Sequence, residues 1–172
     1  MYATITKLLE KVFKKSTIFK YGFNLSPMYR RSTGRILAVS DNLLEVKVKI
    51  PISYKNKNYV GSIFGGSLFA ATDPIYMIQI MQILGNDYVV WDKSAAIQFK
   101  KPVREHAYVD FILTEAEITQ IKLAIANKKE IDLHKECLIT NKDTSKVYAK
   151  VTKVIYIADK KYYKEKIKSR KN

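Results

Sequence analysis

The chain has 172 residues, of which 47% are hydrophobic, and a formal net charge of +15 at pH 7. This length suits one domain with a buried core, and no apolar run reaches the roughly 20 residues that a membrane span needs. The first residues lack the apolar core and cleavage site of a signal peptide. We therefore expect a cytoplasmic protein that does not insert stably into membranes.

The positive charge is spread along the whole sequence and accompanies no nucleic-acid-binding motif, so we expect no nucleic-acid partner. The charge would also suit an anionic membrane or a phosphate-rich small molecule. The densest basic segment is the tail 159–172, which we predict to be solvated or disordered. A single cysteine, Cys137, excludes an internal disulfide and is expected in the core. His106 and His134 lack metal-ligand spacing, so we expect neither a metal nor a cofactor.

The N-terminal segment 4–15 places apolar residues on one helical face and lysines on the other. It predicts an amphipathic helix packed on the domain, with a membrane-surface helix as the alternative. The segment 26–34 follows as a connection. RILAVS and LLEVKVKI (43–50) then predict a β-hairpin turned at Asp41-Asn42. The second strand alternates strictly, and its apolar face holds Leu44, Val46, Val48 and Ile50.

The segment 65–84 is apolar almost all round, which predicts a long helix buried on most sides. Four strand candidates follow at 89–99, 107–113, 130–139 and 147–157. The first is predicted to send one set of side chains to the same face, namely Val89, Trp91, Ala95, Ile97 and Phe99. Thr114 and Glu117 have the spacing of a capping box and predict a short helix, with a strand over 121–125 as the alternative. One antiparallel sheet wrapped around one central helix fits this order, as a single α+β domain with its core at about 25–158.

Asp73 lies inside the apolar run, directly before Pro74. An Asp-Pro pair commonly opens a helix, with the aspartate as its N-cap. The alternative begins the helix at Gly65-Gly66, because residues 66–73 carry no turn signal, and Pro74 then kinks the helix interior. These residues alone leave both alternatives open; the second makes Asp73 a carboxylate available for chemistry, and the resemblance described next favours it.

Three segments carry a resemblance to a known family: FGGSLFAATD (64–73) with the preceding Asn58 and Gly61, Asp73-Pro74, and WDKSA (91–95). This combination resembles the DUF4442 branch of the hotdog-fold acyl-CoA thioesterase superfamily, over about residues 25–158. The resemblance implies a hotdog fold and a homodimer or dimer of dimers. It also implies that backbone N–H groups of Gly65 and Gly66 hold the thioester oxygen. Asp73, reaching the site from the neighbouring subunit, would act as general base or nucleophile. The chain departs from the motif at Phe64, where thioesterases often have histidine.

Six further residues are candidates for substrate contact or for an interface. Asn58 and Ser67 could contact substrate, with a loop role and a helix cap as the respective alternatives. Tyr76, Trp91, Asp92 and Lys93 are candidates for a pocket or a subunit interface. We predict Asp92 on the face shared by Ser94 and Gln98. Lys93 is predicted on the apolar face, where it needs a carboxylate, an interface or a phosphate of coenzyme A.

The leading hypothesis is a thioesterase that acts on an acyl-CoA or acyl-carrier-protein thioester, with the apolar helix lining a slot for the acyl chain. The alternative is a non-catalytic protein that binds an acyl thioester or a lipid, and Phe64 favours it. A dehydratase or hydratase is weaker, because neither histidine lies near the central helix.

Overall fold

A computed structural model describes residues 12–170 of the chain. Helices α1 (Lys15–Leu25) and α2 (Pro27–Arg31) precede strands β1 (Arg35–Val39) and β2 (Glu45–Ile50). Helices α3 (Gly65–Ala70) and α4 (Ile75–Leu84) follow. The remaining elements are β3 (Tyr88–Phe99), β4 (Ala107–Ile112), α5 (Glu115–Lys128), β5 (Glu130–Thr140), β6 (Val147–Asp159) and α6 (Lys160–Ser169). The predicted helix 4–15 lies mostly outside the described residues, and residues 12–14 are not helical.

The six strands form one antiparallel sheet in the order β1-β2-β4-β5-β6-β3, so the protein is an α+β protein, as predicted. One face of the sheet is the core, because alternate residues of each central strand are apolar and buried. They include Val46, Val48, Ile50, Val109, Phe111, Cys137, Ile139, Val151, Ile155 and Ile157. The predicted hairpin, the apolar face of β2 and the core position of Cys137 are confirmed.

Strand β3 contains a β-bulge at Lys93, which changes the face of every residue before it. Asp92 pairs with Ile155 and Ser94 pairs with Val154, so Lys93 has no partner on β6. Because one extra residue reverses the alternation, Val90 and Asp92 face inward and Trp91 faces outward. The predicted inward face was therefore wrong for Val89 and Trp91. The predicted grouping of Asp92 with Ser94 and Gln98 was wrong for the same reason.

The predicted long helix begins at Gly65, as expected, but it is interrupted at residues 71–74. Pro74 has no N–H to continue the helical ladder, and it disfavours helical geometry in the preceding residue. The Asp73–Pro74 peptide bond is cis. The Tyr29 hydroxyl donates a 2.9 Å hydrogen bond to the carbonyl of Ala71 at this break. The central helix is thus two helices, α3 and α4, joined by a turn that holds Asp73.

Helices α5 and α6 decide the predictions for residues 114–125 and for the basic tail. In α5, the Thr114 and Glu117 side chains and backbone N–H groups form both bonds of a capping box, so the helix is confirmed and the strand alternative is wrong. The basic tail is exposed, but residues 160–169 form a helix rather than a disordered segment. The Asp159 side chain caps it, and Lys166 pairs with Glu130. In the described part of the chain, no helix has the length and hydrophobicity to cross a bilayer.

Candidate functional site

A cleft of about 440 Å³ lies between α2 and the α3–α4 segment. It brings together four of the predicted site residues, namely Phe64, Gly66, Ser67 and Asp73. The rest of its lining is Met28, Tyr29, Arg31, Ser32, Ala70 and Pro74. A second groove of about 530 Å³ runs along β2 and β4 and contains none of the predicted site residues. The smaller cleft is therefore the candidate functional site.

The start of α3 forms one wall of this cleft and carries no side-chain cap. Phe64 occupies the N-cap position, so Ser67 is not the cap and instead lies in the first turn. The N–H groups of a first helical turn have no partner within the helix, and the helix dipole favours negative charge there. The uncapped turn at Gly65 and Gly66 can therefore donate hydrogen bonds to an anionic oxygen.

Two phenylalanine rings explain why this turn needs two glycines. A Cβ built on Gly65 would lie 2.7 Å from Cζ of Phe99, and one built on Gly66 would overlap the ring of Phe64. Both rings are more than half exposed. The aromatic side chains thus lie directly against the backbone at the start of α3, where any larger residue would push them away.

Asp73 does not cap α4, since Pro74 occupies the N-cap position and no side chain caps that helix. Its carboxylate instead accepts a bond from Lys153, with 2.5 Å between Oδ1 and Nζ. Lys153 also lies 2.9 Å from Oδ2 of Asp92. The lysine side chain is 1% exposed, whereas those of Asp73 and Asp92 are 53% and 20% exposed. A buried ammonium thus joins a cleft carboxylate to a carboxylate of the inner sheet face.

The surroundings of Asp92 disfavour the ionised form of its carboxyl. Burial raises the pKa of its carboxyl above the usual value, the bond to Lys153 opposes that rise, and the nearby Asp73 carboxylate adds to it. Oδ1 of Asp92 is buried and has no hydrogen-bond partner among residues 12–170. A carboxyl with an unsatisfied buried oxygen beside a second carboxylate ionises less readily than one in water.

Lys153 was not among the predicted site residues, although the sequence contains a signal for it. In VYAKVTKVIYI the residue falls in phase with Val151, Ile155 and Ile157, which are all buried. A lysine at an inward position of a regular strand needs a partner. The same argument was applied to Lys93, which the bulge turns outward to pair with Asp132 at 2.5 Å. The predicted place of Lys93 on the apolar face was therefore wrong.

Three other predicted site residues, Asn58, Tyr76 and Trp91, do not line the cleft. The Asn58 amide makes its contacts within its own loop, with Val60 and Ser62, which fits the loop alternative. Tyr76 is buried in the core, and its hydroxyl donates to the carbonyl of Glu136. Trp91 is half exposed on the outer face of β3. Among the described residues, no cluster of three metal-ligating side chains occurs.

A comparison with models of known protein families identifies the family of this sequence. A model described as "Domain of unknown function (DUF4442)" matches residues 15–157. The chain belongs to the DUF4442 family. A search of curated protein sequences found no match to this DUF4442 protein.

Solved structures share the fold of this DUF4442 protein at low sequence identity. A Pseudomonas aeruginosa protein of unknown function, described as a probable thioesterase, aligns with 16% identity over 84% of this chain and 93% of its own, at a TM-score of 0.69. A Chlorobaculum tepidum protein of unknown function aligns with 16% identity over 83% and 93%, at 0.67. A Haemophilus influenzae thioesterase aligns with 13% identity over 86% and 95%, at 0.59. These likenesses show a shared fold.

Proposed function

We propose that this DUF4442 protein hydrolyses an acyl thioester, carried by coenzyme A or by an acyl carrier protein, and that its α+β architecture is a hotdog fold. One observation carries the proposal: a single cleft contains both the uncapped start of α3 and the Asp73 carboxylate. The family membership and the thioesterases among the proteins of similar fold support it. The cytoplasmic location stays a prediction.

The chemistry follows from where charge develops during thioester hydrolysis. As a water oxygen attacks the thioester carbon, the carbonyl oxygen becomes negative, and in this proposal the N–H groups of Gly65 and Gly66 stabilise it. Asp73 accepts the proton that the water loses. When the C–S bond breaks, the thiolate takes that proton from Asp73, and the products are a carboxylic acid and a thiol. In the alternative route Asp73 attacks the thioester carbon, the thiolate leaves, and water hydrolyses the mixed anhydride that results.

The site residues suit this reaction in three respects. Asp73 is half exposed, and among the described residues no group donates a hydrogen bond to its Oδ2. The lining of the cleft includes the apolar residues Met28 and Ala70, which suits an acyl chain. Arg31 also lines the cleft and offers a positive charge to a phosphate. In one chain Asp73 and Gly66 already share the cleft; the predicted contribution of a neighbouring subunit stays a prediction.

The test is an assay of the hydrolysis of acetyl-, hexanoyl-, lauroyl- and palmitoyl-CoA, in which the released thiol is measured. We expect Asp73→Asn to lower kcat/KM by about a hundredfold or more, because the amide cannot accept the proton. Asp110→Asn is the matched control, since Asp110 also pairs with a lysine, Lys47, but lies outside the cleft. Hydrolysis by Asp73→Asn at the wild-type rate would refute the role of Asp73.

Phe64 supports a second candidate function, a non-catalytic protein that binds an acyl thioester or a lipid. Its ring lies over Gly66 and replaces the histidine of the thioesterase motif, which removes a polar group from the cleft. If none of the four acyl-CoAs is hydrolysed, calorimetric titration with palmitoyl-CoA distinguishes the two functions. Saturable binding that is weakened by Phe64→Ala would identify a binding protein.

A further inference from the structure

Lys153 is a buried charge in a position that stability alone does not explain. It lies on the inner face of β6 between the buried Val151 and Ile155, and its side chain is 1% exposed. Burying an ammonium is unfavourable even when it is paired, and an apolar side chain at such a position is often as stable or more stable. A lysine at this position is therefore better explained by what it holds than by the core that it interrupts.

Lys153 holds two carboxylates that come from different parts of the chain. Asp73 lies in the turn between α3 and α4, and Asp92 lies on β3, next to the bulge at Lys93. Both accept from Nζ, at 2.5 Å and 2.9 Å. The bulge is required for this arrangement, because it turns Asp92 onto the inner face. Three elements thus meet at one ammonium.

The contact engages only one oxygen of Asp73. Oδ1 accepts from Lys153, and within residues 12–170 no donor reaches Oδ2. The carboxylate is therefore fixed in orientation while one oxygen stays available at the cleft. Asp92 accepts from the same ammonium at 2.9 Å, so it fixes the position from which Lys153 reaches Asp73.

We propose that Lys153 and Asp92 are positioning residues for Asp73: Lys153 orients the Asp73 carboxylate at the cleft, and Asp92 holds the Lys153 ammonium where it can do so. This inference rests on the proposed thioester hydrolysis. The titratable groups that face Lys153 are Asp73 from the turn, Asp92 from β3, and Lys135 and Cys137 from β5. Lys135 pairs with Glu117 instead, at 2.7 Å.

The direct test follows the Asp73 carboxyl by ¹³C NMR in protein labelled at aspartate, with the signal assigned by its loss in Asp73→Asn. In Lys153→Met, compared with wild type at one fixed pH, the Asp73 signal is expected to change its chemical shift and to broaden, because the carboxylate loses the partner that fixes it. In Asp92→Asn the same signal is expected to broaden, because Lys153 is held less firmly. If Lys153→Met does not fold, Asp92→Asn alone decides.

The enzymatic readout uses the same variants with hexanoyl-CoA. Values of kcat are expected to fall about tenfold in Lys153→Met and in Asp92→Asn as Asp73 loses its orientation, with KM within about twofold of wild type. Lys135→Met is the matched control, since it removes a second mostly buried lysine from the inner face without touching Asp73. It is expected to change stability but neither kcat nor the Asp73 signal.

Two failures can be told apart. If Asp73→Asn abolishes hydrolysis while the Asp73 signal and kcat stay at their wild-type values in Lys153→Met and Asp92→Asn, the positioning role is refuted and the proposed function stands. If Asp73→Asn hydrolyses hexanoyl-CoA at the wild-type rate, the proposed function is refuted. Asp73, Asp92 and Lys153 then have no role in hydrolysis.

Discussion

At the scale of single residues, the start of α3 has space for no side chain at two consecutive positions. Gly66→Ala places a methyl group where the Phe64 ring now lies. Because that ring is exposed it can move, and alanine favours the helix by roughly 0.5–1 kcal/mol over glycine. We therefore expect the free energy of unfolding to change by less than about 1 kcal/mol. Hydrolysis should fall about tenfold or more, because the methyl group and the displaced ring block the oxygen's approach to the backbone.

The chain offers a matched control for this substitution. Gly22 lies in α1, away from the cleft, and a Cβ built there meets no atom within 4 Å. Gly22→Ala should raise the free energy of unfolding by about 0.5–1 kcal/mol and leave hydrolysis unchanged. Denaturant unfolding and the acyl-CoA assay measure both effects. Wild-type turnover in Gly66→Ala would mean that the substrate oxygen does not approach this turn.

At the scale of elements, helix α5 provides a pH-dependent contact. Burial alone would raise the pKa of Glu117, but hydrogen bonds from Lys135 and from the Thr114 backbone bring it below its ordinary value of 4.5. The folded protein therefore favours the ionised form, and this stabilisation is complete above pH 4.5 and is lost as the pH falls through the lower folded value.

Glu117→Gln tests that contact, because glutamine preserves the capping box and removes only the charge. We expect wild type to exceed the variant by about 0.5–1 kcal/mol in free energy of unfolding at pH 7, with the difference vanishing well below pH 4.5. Thr114→Ala is the comparison: it removes the cap, costs about 1 kcal/mol, and does so without a titrating group. A Glu117→Gln difference that is the same at pH 3 and pH 7 would contradict the ion pair with Lys135.

Elements with regular patterns could be predicted from the sequence, and irregular ones could not. The alternation of β2 and the capping box of α5 are local properties of adjacent residues, so both predictions were confirmed. The bulge at Lys93 has no such signature, because WDKSA contains no glycine, and the low β propensity of Asp92, Lys93 and Ala95 does not show where an extra residue is inserted. The inward face of β3 was therefore misassigned before the bulge and correct after it.

The candidate site shows the same limit. Gly65, Gly66 and Asp73 lie within one short stretch, so a resemblance could identify them together. The contacts of Lys153 reach residues 80 and 61 positions away, and they depend on how the α3–α4 turn packs on the sheet. Strand periodicity can show that Lys153 faces inward, but only the tertiary structure shows which carboxylates it meets.

At the scale of the whole molecule, β3 leaves one edge of the sheet open. It is 12 residues long and pairs only with β6. Its inward residues Ala95 and Phe99 are exposed, so the helices in the described part of this chain cover that end of the inner face only in part, through the contact of Phe99 with the start of α3. A long open edge strand is a template for pairing with a second chain. We therefore propose that, in the predicted homodimer, two copies pair through β3 about a two-fold axis.

Charge and edge pairing act against each other in such a dimer. Each copy carries a formal charge of +15, so we expect sedimentation equilibrium to show tighter association at 0.5 M salt than at 0.05 M, where repulsion is less screened.

Ala96→Lys adds like charges at the paired edge, where both copies contribute the same residue, and should raise the dimer Kd about tenfold or more. Ala126→Lys adds the same charge at an exposed position of α5 and should leave the Kd within about threefold of wild type, because surface ion interactions are weak at a distance. A wild-type chain that stays monomeric at high salt, or an Ala126→Lys that weakens association as much as Ala96→Lys does, would show that β3 is not the dimer edge.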